Sequence, residues 1–342
     1  MPVVSVAGAS GYAGGEVLRL VHQHPNLSLG PVTAGSRTGS SLVDVHPNLL
    51  ALGERTLLQT TPTAIAEADL AFIALPHGES AALVEQLPQD LPVVDLGADF
   101  RLRDAHSWQR YYGGPHAGSW TYGLPELAGA RDQIRASSRI ANPGCYATAV
   151  ALALAPVLRA GLAEPMDLVV VAASGTSGAG RKPTETLLAS EVMGSMSTYK
   201  VAGVHQHIPE MEQSLSVAAG SPVRMSFTPL LAPMPRGILA TCTAVAKAGA
   251  NTAAVRECLA DAYAGEDFVR LLQSEAWPRT ASVLGSNAAH LQGAFDEHAG
   301  RITVTVAIDN LVRGAAGQAI QNANLVLGLD EGAGLPTVGV AP

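Results

Sequence analysis

The first two dozen residues constrain this chain more than any others. Val3-Val-Ser-Val-Ala7 is a short apolar run that reads as a buried strand. Gly8-Ala-Ser-Gly11-Tyr-Ala-Gly14 follows at once. Residues 11–22 then show helical spacing, with Val17, Leu18 and Val21 on one face. A glycine loop between a strand and a helix lets backbone turn tightly and approach a pyrophosphate. The helix start adds N–H donors and the positive end of the dipole. The spacing is GxxGxxG instead of GxGxxG, so the strand–turn–helix context carries the reading. Gly8, Ser10, Gly11, Tyr12 and Ala13 are the candidate cofactor-loop residues.

Further strands are expected at 27–34, 69–75 ("DLAFIAL", ending at Pro76) and 93–96. Their alternation with helical stretches implies a parallel sheet with crossovers. After residue 141 the character changes. A helix is expected over 143–159, then strands near 167–173, 223–231, 238–246 and 301–308, with helices between several of them. Residues 309–329 read as a last helix. With 342 residues, two domains are expected. The fold class is α/β: a Rossmann-type dinucleotide-binding domain over 1–142, completed by 310–342, plus an α+β catalytic and oligomerisation domain over 143–309.

The cofactor's identity is legible after the second strand. An acidic residue there suits the ribose diol of NAD, but this chain has Gly35-Ser36-Arg37-Thr38. Ser36 and Arg37 suit a 2′-phosphate, so NADP(H) is expected.

Composition excludes other classes. The net charge is −8 and no basic run appears, which argues against nucleic acid. The longest apolar stretch, near 149–158, is too short to span a membrane, and MPVVSVAGAS lacks the features of a signal peptide. The three cysteines have no CxxC spacing, which fits a reducing cytosol and no disulfide framework or zinc-thiolate site. A cytoplasmic protein is expected.

Cys145 stands apart. In Asn142-Pro-Gly-Cys145, Asn142 can cap a helix and Pro143 fits its first position, so the thiol falls in the first turn, where thiolate is stabilised. Cys242 lies in a strand pattern and Cys258 in a helix, and both read as packed thiols. Acid/base partners come from Tyr199-Lys-Val-Ala-Gly-Val-His205-Gln-His207-Ile-Pro-Glu210. In an extended segment His205 and His207 point to one side. One could exchange protons while the other binds substrate, one could be structural, or the pair could bind metal. No third ligand is obvious beyond Glu210, so no metal is expected. Ser174-Gly-Thr-Ser177-Gly178-Ala-Gly180 offers an anion or ribose its N–H groups and hydroxyls; it could equally be a connector. Arg101 and Arg236, beside strand ends, could clamp a carboxylate or phosphate, or form ordinary ion pairs.

Together these segments resemble the N-acetyl-γ-glutamyl-phosphate reductase family. The matching pieces are "GASGYAGGE", Ser36-Arg37, "LPHG" at 75–78, "DLGADFRL", "YGLPE", "ANPGCYATA", "SGTSGAGR", "HQHIPE", "PMPRGI" and "DNLVRGAAGQAIQNAN", which span residues 7 to 324. The resemblance implies NADPH-dependent reduction of N-acetyl-γ-glutamyl phosphate to the semialdehyde, through a thioester on Cys145, in arginine biosynthesis. It places acid/base chemistry on His205 and His207, and the cofactor near Pro76, Ser177, Gly178 and Asn310. It places substrate near Arg101, Asn142, Ser174, Tyr199 and Arg236. It also implies a homodimer or homotetramer. The "LPHG" turn is a candidate lid. Aspartate-semialdehyde dehydrogenase is the nearest rival. A cysteine hydrolase would leave the glycine loop without a task, and a non-enzymatic NADP sensor would leave Cys145 without one.

Overall fold

A computed structural model describes residues 1–341. The chain divides into two compact units. The first comprises Met1–Pro125, Gly129–Pro143 and Ala315–Leu335. The second comprises Glu126–Ala128, Gly144–Gly314 and the residues from Pro336 on. The segment expected to complete the first domain from residue 310 is therefore divided: Ala315–Leu335 lie in the first unit, while residues 310–314 and those from Pro336 on lie in the second.

The first unit is built on a sheet of seven parallel strands: β1 (Val3–Ala7), β2 (Ser28–Ala34), β3 (Leu58–Gln59), β4 (Leu70–Ile73), β5 (Val93–Asp95), β6 (Thr121–Tyr122) and β7 (Arg139–Ala141). Their order is β3-β2-β1-β4-β5-β7-β6. The chain runs outward from β1 to β3, then returns to β4 on the other side of β1. This order reversal is the switch point where an open α/β sheet binds its ligand, outside the carboxyl ends of the strands. β4 is buried at every position and β1 at all but its first. Such unbroken apolar runs are what a parallel sheet covered on both faces requires.

The second unit holds a mixed seven-stranded sheet: β8 (Ala163–Ser174), β9 (Ser197–Thr198), β10 (Met225–Leu231), β11 (Ile238–Ala246), β12 (Val269–Leu271), β13 (Ala289–Asp296) and β14 (Arg301–Ile308). The order is β12-β13-β14-β11-β8-β10-β9. Burial alternates strictly along β11 from Ile238 to Ala244, the period-two signature of a sheet covered on one face. The helix Cys145–Arg159 is buried continuously from Tyr146 to Leu158, which its almost wholly apolar sequence allows.

The last expected helix is two elements. Val312–Ala316 forms a π-helical turn, and the α-helix runs only over Gly317–Val326. Among the described residues no helix is long and apolar enough to cross a membrane.

Candidate functional site

In the first unit the glycine loop leaves β1 with Gly8 at φ +79°, a left-handed conformation. A Cβ on Gly8 would lie 2.2 Å from the Ala74 carbonyl oxygen, so this position also requires glycine for space. Hydrogen bonds from Ala9 N to Thr33 O (2.9 Å) and Gly11 N to Gly8 O (3.1 Å) close the loop. Gly11 caps the helix Tyr12–Gln23 without a side-chain bond. The helix start is thus left to backbone donors, as a dinucleotide cradle needs.

One supporting residue lies outside every recognised motif. The His46 imidazole donates from Nε2 to Ala9 O at 2.8 Å, and a Cβ on Gly15 would come within 2.4 Å of its Cε1. His46 is buried and fills the space behind the loop. The only sequence cue is a histidine before Pro47, after a short helix at Leu42–Val45, which has no spacing relation to the glycines.

Ser36 and Arg37 are exposed just past the end of β2. Thr38 holds their turn by donating from Oγ1 to Ala34 O (2.7 Å) and Gly35 O (2.8 Å). Pro76 begins a turn closed by Glu79 N donating to Pro76 O. The Asp99 carboxylate ties the same turn down, accepting from Gly78 N (2.7 Å) and Ala81 N (3.0 Å).

Two expectations are corrected here. Asn142 is not the cap of the helix that carries Cys145. Its buried amide is occupied within the first unit, donating to Ala315 O (3.1 Å) and accepting from Asn322 Nδ2 (3.0 Å). Gly144 is the N-cap. Arg101 is only 5% exposed, and gives Nε to Asn142 O (2.8 Å) and Nη2 to Leu96 O (2.7 Å). Its guanidinium supports two strand ends instead of standing open to a ligand.

In the second unit Cys145 is the first residue of its helix and is half-buried. The Gly144 N–H just before it donates to the buried Glu210 Oε1 at 2.8 Å. Glu210 lies in the first turn of the helix Ile208–Ala219, so one carboxylate links the "NPGC" and "HQHIPE" segments. Tyr146 is buried, and its hydroxyl is 2.7 Å from that of Tyr199 and bonded to Ser174. Burial holds the Tyr146 phenol far above its usual range and pushes Tyr199 up to about 12; an ionised Cys145 would act in the same direction on both. Two protonated hydroxyls therefore stand beside Cys145.

His205 and His207 are not in an extended segment. They lie in a turn that enters the helix at Ile208. The turn is made by left-handed backbone at Lys200 (φ +43°), Ala202 (φ +60°) and Gly203 (φ +81°). The ring centroids of His205 and His207 are 5.0 Å apart, and both rings meet Tyr146 edge-on, at 5.4 and 5.9 Å. Burial lowers the His205 imidazole to about 4, and the Lys200 charge adds to this, so the ring is neutral at pH 7. His207 N donates to His205 Nδ1 at 3.1 Å, which places the ring proton on Nε2.

Ser174, almost fully buried, ends β8, and the loop it opens turns through Thr176–Ala179 with Gly178 exposed. Asn310 donates from Nδ2 to Ser177 Oγ (3.0 Å) and accepts from Gly237 N (2.7 Å). Arg236 pairs with the buried Asp309 at 3.1 Å, so of its two open roles the ion pair is the one present. Cys242 is fully buried, its thiol pushed up to about 12 by desolvation. Burial also raises the Cys258 thiol. Neither is poised to react.

Comparison with known proteins adds to this geometry. Residues 3–137 match the family described as "Semialdehyde dehydrogenase, NAD binding domain", and residues 145–310 match "Semialdehyde dehydrogenase, dimerisation domain". A protein of Acidothermus cellulolyticus named N-acetyl-gamma-glutamyl-phosphate reductase is 60% identical over 339 residues, covering 99% of both chains. One of the same name from Streptomyces coelicolor is 59% identical, over 99% of this chain and 98% of its own. Among solved structures, aspartate semialdehyde dehydrogenase II from Vibrio cholerae superposes with a TM-score of 0.70 over 96% of this chain and 98% of its own, at 18% identity. An aspartate semialdehyde dehydrogenase with NADP from Candida albicans gives 0.64 over 96% and 98%, at 15% identity. At these identities the two structures share the fold.

Proposed function

This chain belongs to the semialdehyde dehydrogenase family, in its N-acetyl-gamma-glutamyl-phosphate reductase branch, and from that premise we propose that it reduces N-acetyl-γ-glutamyl phosphate to N-acetylglutamate semialdehyde, a step of arginine biosynthesis. The observation that carries the reading is Cys145, at the start of a buried helix, next to Tyr146, whose hydroxyl meets that of Tyr199 and whose ring meets those of His205 and His207.

The Cys145 thiolate attacks the γ-acyl carbon, and the C–O bond to phosphate breaks to leave a thioester and inorganic phosphate. NADPH, when bound, supplies the hydride that reduces this thioester. The hemithioacetal on Cys145 then releases the aldehyde as its hydroxyl proton is lost and the thiolate re-forms. Neutral His205, with Nε2 bearing hydrogen at pH 7, offers that N–H to the developing oxyanion, and its neighbour His207 takes up the hydroxyl proton as the thiolate re-forms. The O–H groups of Tyr199 and Tyr146 stay protonated through the cycle, and backbone N–H groups of the helix start favour charge on the thiolate and developing oxyanion.

The residues present fit a dinucleotide: a Cβ on Gly8 would fill the loop's closest approach, and the helix after it has no side-chain cap. Gly8, Ser10, Gly11, Tyr12 and Ala13 would hold the pyrophosphate, Ser36 and Arg37 the 2′-phosphate, and Pro76, Ser177, Gly178 and Asn310 the remainder. Asn142, Arg101 and Arg236 serve by positioning other groups, while Ser174 and Tyr199 face substrate. One face of β8, β10 and β11 carries the half-open Val169, Ala173, Leu239, Thr241 and Leu230. We assign that face to pairing with a second copy. A solution mass equal to one chain's 35.1 kDa would overturn the assignment.

The test is the reverse reaction. N-acetylglutamate semialdehyde, phosphate and NADP+ should yield reduced nicotinamide with the wild type and none with Cys145→Ala, whose NADPH affinity stays near wild type. Reaction with aspartate semialdehyde alone would keep the mechanism and overturn the substrate.

A further inference from the structure

The turn joining β14 to the final helix is a π turn in which Gly314 N donates to Asp309 O at 2.9 Å. π turns are rare and local, and persist where surrounding structure holds them. Here two anchors do so. The fully buried Asp309 accepts from Leu311 N (2.8 Å) and Val312 N (3.1 Å) on Oδ1, and from Gly285 N (2.7 Å) on Oδ2. Arg313, also fully buried, pairs with Glu126 at 2.6 Å with neither side chain exposed. Removing one half of such a pair would leave the other charge buried and unpaired, so the backbone between the anchors is firmly held.

Gly314 lies between these anchors and packs directly on the nucleophile. A Cβ there would be 2.7 Å from Cys145 Cβ and 3.1 Å from its Cα. The nearer contact is backbone-fixed on both sides, so neither partner can yield by rotating a side chain. Gly314 has no positive φ to explain the glycine. Contact with Cys145 is therefore the reason that the position is glycine.

We propose that Gly314 is a positioning residue: the π turn presses its bare backbone against Cys145 and fixes where the nucleophile's Cβ stands. The inference rests on Cys145 being the nucleophile of the reaction proposed above. The same turn bonds Asn310 to Ser177, so it sets the thiol and the serine loop in one frame.

The experiment compares Gly314→Ala with Gly293→Ala. At Gly293, in β13, a Cβ would meet Leu259 Cδ1 at 2.7 Å and Val255 Cγ1 at 2.8 Å, a comparable clash away from Cys145. Four quantities are read: Tm, kcat, the KM for NADPH, and the pH profile of Cys145 alkylation by iodoacetamide, followed on its own peptide. Gly314→Ala should lower kcat about 100-fold, as a displacement near 1 Å does, with the KM for NADPH changed less than about twofold. Its alkylation profile should shift. Gly293→Ala should lower Tm yet keep both kcat and the alkylation profile of the folded protein. A Gly314→Ala kcat within about threefold of wild type overturns the proposal. So does an unaltered alkylation profile. Alkylation needs no acyl phosphate, so it judges the wall behind Cys145 even where the substrate assignment fails.

Discussion

Asp95, at the end of β5, is fully buried. Its Oδ1 accepts from Ser80 Oγ and Gly97 N, both at 2.9 Å, while Oδ2 has no hydrogen-bond partner among the described residues. Burial pushes its carboxyl from an ordinary 3.8 to about 7, with the charge of Asp99 adding and Arg101 opposing. The native state thus holds a proton that the unfolded chain releases. The stability this represents is present below pH 3.8 and is lost as pH rises to about 7. Three decades of proton affinity correspond to about 4 kcal/mol. Asp95→Asn keeps an acceptor for Ser80 and Gly97 but has no proton to lose. Its advantage over wild type should be small at pH 4, grow through pH 7, and level off near 4 kcal/mol. Urea unfolding followed by tryptophan fluorescence measures this, because Trp108 and Trp120 belong to the first unit. With m near 2–3 kcal/mol/M, the midpoints should separate by about 1–2 M at pH 8. A separation that stays constant from pH 4 to pH 8 would refute the reasoning.

The remaining predictions concern the cofactor. Arg37→Ala should raise the KM for NADPH about 10- to 100-fold, the worth of a charge-assisted pair to phosphate, and leave NADH nearly unaffected; equal losses would remove Arg37 from the 2′-phosphate. His46→Ala removes the bond to Ala9 O and the packing beside Gly15. It should raise the KM for NADPH about fivefold, the worth of one hydrogen bond, with kcat at saturating NADPH retained. A fall in kcat alone would place His46 elsewhere in the cycle.

The parallel sheet was legible because its signals are local. β1, β4 and β5 are short apolar runs, and the glycine loop sits directly between a strand and a helix. Cys145 was legible for the same reason, since its place at a helix start depends on its immediate neighbours. The detail of that start was not. Asn142 looks like a cap, yet its amide is claimed by Ala315 and Asn322, more than 170 residues away, and Gly144 is capped by Glu210. Arg101 and Arg236 read alike in sequence, and only tertiary partners reveal that one braces carbonyls and the other an aspartate. The π turn leaves a cue, Gly314 inside a helical pattern, but a glycine cannot announce which residue it makes room for. His46 left only its place before Pro47, because nothing in one dimension joins residue 46 to a carbonyl at residue 9.

The first unit is finished by the last part of the chain. Asn324 bonds His24, Asn322 bonds Gly123 and Asn142, and Arg131 pairs with Glu331. During synthesis residues 1–143 must therefore wait for residues 315–335. The first sheet cannot acquire its full cover until residues 315–335 are made, while much of the second unit can already condense. Such a chain folds against the order in which it is made. Removing residues 315–335 would therefore strike the first unit, whose β5 and first helix pack on the helix Gly317–Val326.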